Sequence, residues 1–137
     1  MSDFSNIRAA LEQQLTTVVG IPGATQRAWE NVKFTPTTGA PWVRMTLQPG
    51  ESRAAIRGDA PVLEFIGMFQ VDIFLPEGTG PNAADTLADA VRAKFGPGLD
   101  LTFNSVTTRI SYSERGVGDL DPPWYKVPIF ISWFSFI

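Results

Sequence analysis

The side chains best placed to do chemistry are carboxylates: Asp119 and Asp121 at alternate positions, and Glu64 and Asp72 on one side of an alternating run. Asp119-Leu120-Asp121 offers oxygen ligands but has neither the spacing nor the glycine of an EF-hand calcium loop, so it reads as a solvated loop. Glu64 and Asp72 would lie about 26 Å apart in an extended strand, too far to act as a general acid and base without a third element. Gly78-Thr79-Gly80-Pro81 precedes a helical pattern and superficially resembles a phosphate-binding turn, because helix N-termini attract anions. It lacks the full glycine pattern and a following Lys-Ser/Thr pair, and Pro81 removes one N–H donor, which leaves a plain strand-to-helix turn.

The missing residue types narrow the chemistry further. The chain has no histidine and no cysteine. Ser-His-Asp and Cys-His nucleophiles, disulfides and His- or Cys-built metal sites are therefore impossible. An enzyme working through Asp, Glu or Tyr alone is the catalytic option left, and no cofactor is expected. The formal net charge is −3, and the 11 Lys and Arg are scattered without a basic stripe, which argues against gripping nucleic acid through phosphates. Without a basic groove beside them, Trp29, Trp42, Trp124 and Trp133 read as core or interface anchors rather than base-stacking platforms.

A length of 137 residues fits one domain, 1–137, able to bury a core without staples. The N-terminus lacks the pattern of a signal peptide, and no apolar run reaches the ~20 residues that span a bilayer. A soluble, cytoplasmic protein with no membrane partner is expected.

Phe4, Ile7, Leu11, Leu15 and Val18 recur at helical spacing, with Ser2 or Asp3 as cap and Gly20 as stop. The opposite face lacks the Lys/Arg enrichment of a membrane-surface helix, so this helix covers a sheet. Strands are expected at Arg27–Phe34 and Trp42–Leu47, with Pro49-Gly50 as a turn and Glu51–Pro61 as a long mobile connection. Leu63–Leu75 is the strongest strand, with Phe65, Phe69, Val71, Ile73 and Leu75 on one face. A second helix starts at Pro81, carries Ala84, Leu87, Ala88, Val91 and Phe95 on its apolar side, and stops at Gly96-Pro97-Gly98. Val106, Thr108, Ile110 and Tyr112 then share one face of a strand, a loop covers Glu114–Pro123, and Trp124–Phe136 is the last strand. The fold class is α+β, order α-β-β-β-α-β-β, with both helices on one face of a mostly antiparallel sheet.

The last strand is apolar on both faces. Phe130, Phe134 and Phe136 oppose Ile129 and Ile131 and need a cover that a one-sided sheet does not offer. Either the Glu51–Pro61 loop lies over them, or a neighbouring subunit does.

Several phrases in order complete the reading. They are Ala28-Trp29-Glu30-Asn31 with Phe34-Thr35-Pro36, Pro41-Trp42-Val43-Arg44 leading to Leu47-Gln48-Pro49-Gly50-Glu51, Gly67-Met68-Phe69-Gln70-Val71-Asp72-Ile73-Phe74, the Gly78-Thr79-Gly80 turn, and Trp124-Tyr125-Lys126-Val127-Pro128. Together they span most of the chain from Ala28 onward, and in them the chain resembles the tail terminator (tail-completion) proteins of long-tailed bacteriophages and prophages. The resemblance implies a homo-oligomeric ring, commonly a hexamer, that caps the growing tail tube and then offers a surface to the head-tail connector. It also implies a place in the virion tail, reached from the host cytoplasm during assembly, with DNA only passing through the channel. The family supplies no catalytic residues to carry over. Charged loops give register and specificity, so Glu51, Arg53, Arg57 and Asp59 in one expected loop, and Glu114, Arg115, Asp119 and Asp121 in the other, are the interface candidates. A small-ligand or peptide-binding α+β module is the alternative, and it requires a deep apolar pocket with a few convergent polar groups.

Overall fold

The computed structural model describes residues 2–56 and 62–137. Helix α1 (Asp3–Leu15) opens at Ser2, whose side chain accepts a hydrogen bond from the Ser5 N–H at 3.1 Å. After it come strands β1 (Arg27–Ala28), β2 (Trp42–Ile56) and β3 (Val62–Pro76), helix α2 (Asn82–Lys94), and strands β4 (Asp100–Phe103), β5 (Val106–Arg115), β6 (Asp119–Asp121) and β7 (Trp124–Phe136). The strands form a seven-stranded sheet in the order β1-β2-β3-β7-β5-β4, with β6 also pairing β7. All pairs are antiparallel except β1 with β2.

One face of the sheet carries the core. Ile7, Leu11 and Leu15 from α1, and Ala84, Leu87, Ala88, Val91 and Phe95 from α2, pack with Phe69, Val71, Ile73, Val127, Ile129 and Ile131 in one buried cluster. Both helices thus lie on one face, and the alternation along β3 and β7 places each apolar row toward them. Burial of each such large side chain contributes about 1.5–3 kcal/mol.

The expected order needs correction: the described residues form seven strands where the sequence pattern implies five. Residues 51–56 are not a loop but the second half of β2, paired with β3 as Ser52↔Phe65, Arg53↔Glu64 and Ala54↔Leu63. Register shifts between Pro49 and Ser52 and between Ala54 and Ile56 break the two-residue period while pairing continues, which is why the stretch lacks a visible alternation. Pro49-Gly50 likewise sits inside this bulged strand and makes no turn. The Arg27–Phe34 strand shrinks to two residues, because the chain leaves the sheet and turns at Asn31, whose φ is +56°. Strands β4 and β5 are joined by Asn104-Ser105, both at positive φ (48° and 67°), the backbone that closes a tight hairpin. The short β6 occupies part of the expected Glu114–Pro123 loop.

The segment following β1 is strapped down by Glu30. Its carboxylate accepts from Arg8 of α1 at 2.6 Å and from the Leu47 N–H on the open edge of β2 at 2.5 Å. Burial works against this carboxylate, but the hydrogen bonds from Arg8 and Leu47 and the charge of Arg8 together hold its pKa below the usual range. A carboxyl whose folded pKa lies below its unfolded value contributes stability above the unfolded value, about 4.3, and loses it as the pH falls through the folded one. Glu12, on the facing side of α1, shifts the other way: burial raises its pKa, offset in part by Arg8 and reinforced by Glu30. Glu30→Ala is therefore expected to lower the unfolding free energy by about 1 kcal/mol at pH 7. Urea titrations at pH 7 and pH 3 check this, since the difference from the parent should shrink at the lower pH.

Candidate interaction surface

The second face of the sheet has two unlike halves. At the end nearest Trp124 it carries a small aromatic cluster of Trp42, Phe74 and Trp124 with Ala28, capped by Phe34 from the segment after β1. Trp42 stacks on Phe74 with ring centroids 3.9 Å apart and an interplanar angle of 4°, and Trp124 meets Trp42 edge-on at 5.9 Å. Three of the four tryptophans (Trp42, Trp124 and Trp133) are buried, and Trp29 packs half-buried against the main core.

The other half has no such cap among the described residues. Strand register brings Ile66 beside Phe134, Met68 beside Ser132 and Glu64 beside Phe136, while Tyr112 faces Ser132 from β5. Ile66 is 38% exposed, Tyr112 47% and Phe136 52%. Tyr112 does not share the face of Thr108 and Ile110 that its spacing predicts. Those two are buried, but a register shift between Ile110 and Tyr112 turns the latter to the opposite face. Of the loop expected to cover Phe130, Phe134 and Phe136, residues 51–56 extend the same sheet edge-on and do not lie over it, and residues 57–61 are outside the described residues.

Polar side chains rim this apolar area in a fixed arrangement. Arg44 donates from Nε and Nη2 to one oxygen of Asp72 at 3.2 and 3.0 Å, Gln70 donates to the other at 2.8 Å, and Gln48 donates to Gln70 at 2.8 Å. Arg53 pairs with Glu64 at 2.6 Å. In both ion pairs the carboxylate lies beneath and the guanidinium outside: side-chain exposure is 46% for Arg44 against 3% for Asp72, and 69% for Arg53 against 15% for Glu64. Bonded at both oxygens, the buried Asp72 fixes the strand register; Arg44 lies over the Phe74 ring, 5.1 Å from its centroid, and Arg53 is the more exposed of the two arginines. Glu64 and Asp72 thus serve two separate ion pairs and form no acid/base couple.

The described interface candidates are spread along the sheet: Glu51 and Arg53 near one end, Asp119 and Asp121 near the other, and Glu114 and Arg115 opposite the middle of β7. Glu51 and Arg53 lie exposed on β2, whereas Arg57 and Asp59 are outside the described residues. Glu114 and Arg115 end β5, and Arg115 reaches back to Asp85 of α2 at 2.8 Å. Asp119 and Asp121 are exposed on β6, whose register partners on β7 are Lys126 and Trp124. Along β3, Glu64 and the Phe74 position opposite Lys126 are separated by about 33 Å at 3.3 Å per residue. Arg53, opposite Glu64, and Asp119, opposite Lys126, are therefore not brought together within one chain.

Other features bear on what this surface does. Among the described residues no group of His, Cys, Asp and Glu could hold a metal ion, and no helix is long and apolar enough to cross a membrane. The grooves are open and shallow; one runs between Leu120, Tyr125 and the turn at 78–81, another between Gly50, Ile66, Tyr112 and Phe134.

One solved structure superposes with a TM-score of 0.77 at 27% identity, covering 98% of this chain and 96% of its own. A chain in the virion of a native gene transfer agent particle shares the fold with a TM-score of 0.61 at 17% identity, covering 99% of this chain and 98% of its own. No curated protein matches the chain. The sequence model of the phage tail terminator proteins matches residues 6–133. That match covers nearly the whole chain, which therefore belongs to the phage tail terminator protein family and has a structural role in a phage tail.

Proposed function

We propose that copies of this chain close into a ring, six in number as the family resemblance implies, that seats on the end of the tail tube. The ring stops tube polymerisation and presents its far side to the head-tail connector. What carries the reading is the half-open outer face of the sheet in a chain of this family: an apolar strip of Ile66, Tyr112, Phe134 and Phe136 with the outward Arg53 at its margin. Such a strip, apolar at its centre and charged at its margin, has the anatomy of a protein–protein contact. Identical subunits that meet through two different surfaces close into a ring when the rotation allows it.

Ring closure also explains how weak contacts suffice. Once one subunit engages the tube end, each further contact becomes intramolecular and the whole ring gains avidity. The surplus of acidic residues, a formal net charge of −3, lets DNA pass through without being gripped. The test is tail length in particles made with and without this chain. Particles lacking it should show tubes of uncontrolled length that join no heads, and resupplying it should restore one length. Tails of normal length in its absence would remove tube capping from its functions.

A further inference from the structure

We infer that the subunit contact of the ring is a knob-in-groove: the segment 117–120 of one copy seats in the Ile66/Tyr112/Phe134 groove of the next. The inference rests on the ring reading above and specifies which surfaces meet.

The knob is unusual for its exposure. Val117 is 88% exposed and Leu120 59%, yet the segment that carries them is held against β7. The Gly116 N–H donates to the Pro128 carbonyl at 2.8 Å, and a Cβ on Gly116 would come within 2.7 Å of the Pro128 ring. A Cβ on Gly118 would collide with the Tyr125 hydroxyl. Two glycines thus let the backbone press onto Pro128 and Tyr125, leaving Val117 outside and Leu120 as the exposed wall of the open groove beside Tyr125. An apolar tip fixed by its own backbone loses little entropy on docking.

The groove is its counterpart. Its floor is backbone at Gly50 and Gly67, and Ile66, Tyr112 and Phe134 form apolar walls. Charges match as well. Leu120 is flanked by exposed Asp119 and Asp121, while the groove's margin presents the Arg53 guanidinium outward, with Glu64 beneath it. Knob and groove do not meet within one chain: Leu120 sits opposite Tyr125, nine residues along β7 from Phe134, about 30 Å away, and Val117 lies five residues past Tyr112, up to about 17 Å along an extended chain. Two different, complementary surfaces that do not meet in one subunit specify a head-to-tail contact between copies.

The chain has no cysteine, so cross-linking reads the contact without background. Particles are assembled with an Ile66→Cys, Leu120→Cys double variant in place of the native chain and treated with a short bismaleimide. The expected product on denaturing gels is a ladder of this chain rising to one closed species, with no ladder from either single variant. A ladder that stops at the dimer means a two-fold contact and overturns the inference. So does a covalent dimer from one single variant, or capture of a different virion protein by the Ile66→Cys single variant. No ladder in particles whose tails have normal length sinks the knob-in-groove contact but leaves capping intact. The capping reading fails separately, when tail length does not depend on the native chain.

Discussion

Trp133→Ala is expected to lower the unfolding free energy by about 3–5 kcal/mol, as for other fully buried large aromatics. Trp133 is 1% exposed and lies directly across from Gly67 in the β3–β7 pairing. The two positions share one space: a Cβ on Gly67 would fall 2.5 Å from Cζ2 of Trp133 and 2.7 Å from the Gln48 carbonyl oxygen. The indole fills the room that the glycine leaves open in the middle of the sheet. Gly67→Ala should therefore cost about 1–3 kcal/mol in the native background, where neither the indole nor the backbone carbonyl can easily move. In the Trp133→Ala background the added methyl no longer meets the ring, and only the Gln48 contact remains. The alanine should cost distinctly less there, giving a coupling of about 1 kcal/mol or more in a double-mutant cycle. Urea midpoints at unchanged m-value measure it. Additive effects would show that the glycine serves the strand and not the tryptophan.

Phe136→Asp is expected to leave folding nearly untouched and to abolish ring assembly. Phe136 is 52% exposed, touches Phe134 edge-on at 5.7 Å, and lies on the uncapped half of the sheet. Surface substitutions of this kind change stability by about 0.5 kcal/mol or less. In a ring the same substitution recurs at every contact and would bury an unpaired carboxylate each time, so the avidity of about 10²–10⁴ over a single contact should be lost. The variant should run as a monomer by native mass spectrometry, melt within a few degrees of the parent, and yield tails of uncontrolled length. A Phe136→Asp protein that still forms rings would place the subunit contact elsewhere. If it instead unfolds, Phe136→Leu, which keeps the face apolar, separates a folding defect from an assembly defect by retaining both ring and tail length.

The parts of this fold that were legible in the sequence are those where one period runs unbroken. The α1 stripe of Ile7, Leu11 and Leu15, the α2 stripe through Phe95, and the alternation of Phe69 to Leu75 and of Val127 to Trp133 all reappear as the buried core. Where pairing continued through a bulge, the period failed and the strand was hidden. That is the case for residues 51–56 and for Tyr112, each displaced by a register shift that no local propensity announces. Strand β4 escaped because four residues with half-buried and exposed positions carry little signal, and its hairpin depends on Asn104 and Ser105 accepting positive φ.

The candidate surface was half legible. Three phenylalanines on the wrong face of β7 announced that something must cover them. Their neighbours Ile66, Met68 and Tyr112 come from other strands and are joined to them only by register, which the sequence does not display. The charged candidates were selected as loop residues, but Arg53 proved to be a strand residue paired with Glu64, and Arg115 proved to be tied to Asp85. The arginines that mark the face, Arg44 above all, were hidden as ordinary outward positions of a strand. The apolar tip at Val117 and Leu120 left no sequence signal, because isolated apolar residues among glycines and aspartates are common in loops.

Capping itself is most directly tested by adding the purified chain to tail tubes while they elongate and following their length by electron microscopy. If this protein closes tube ends, elongation stops as soon as ring density appears at a terminus, and the final length falls as more protein is added. Tubes that keep lengthening at saturating protein, or that incorporate it along their sides, contradict a terminator role.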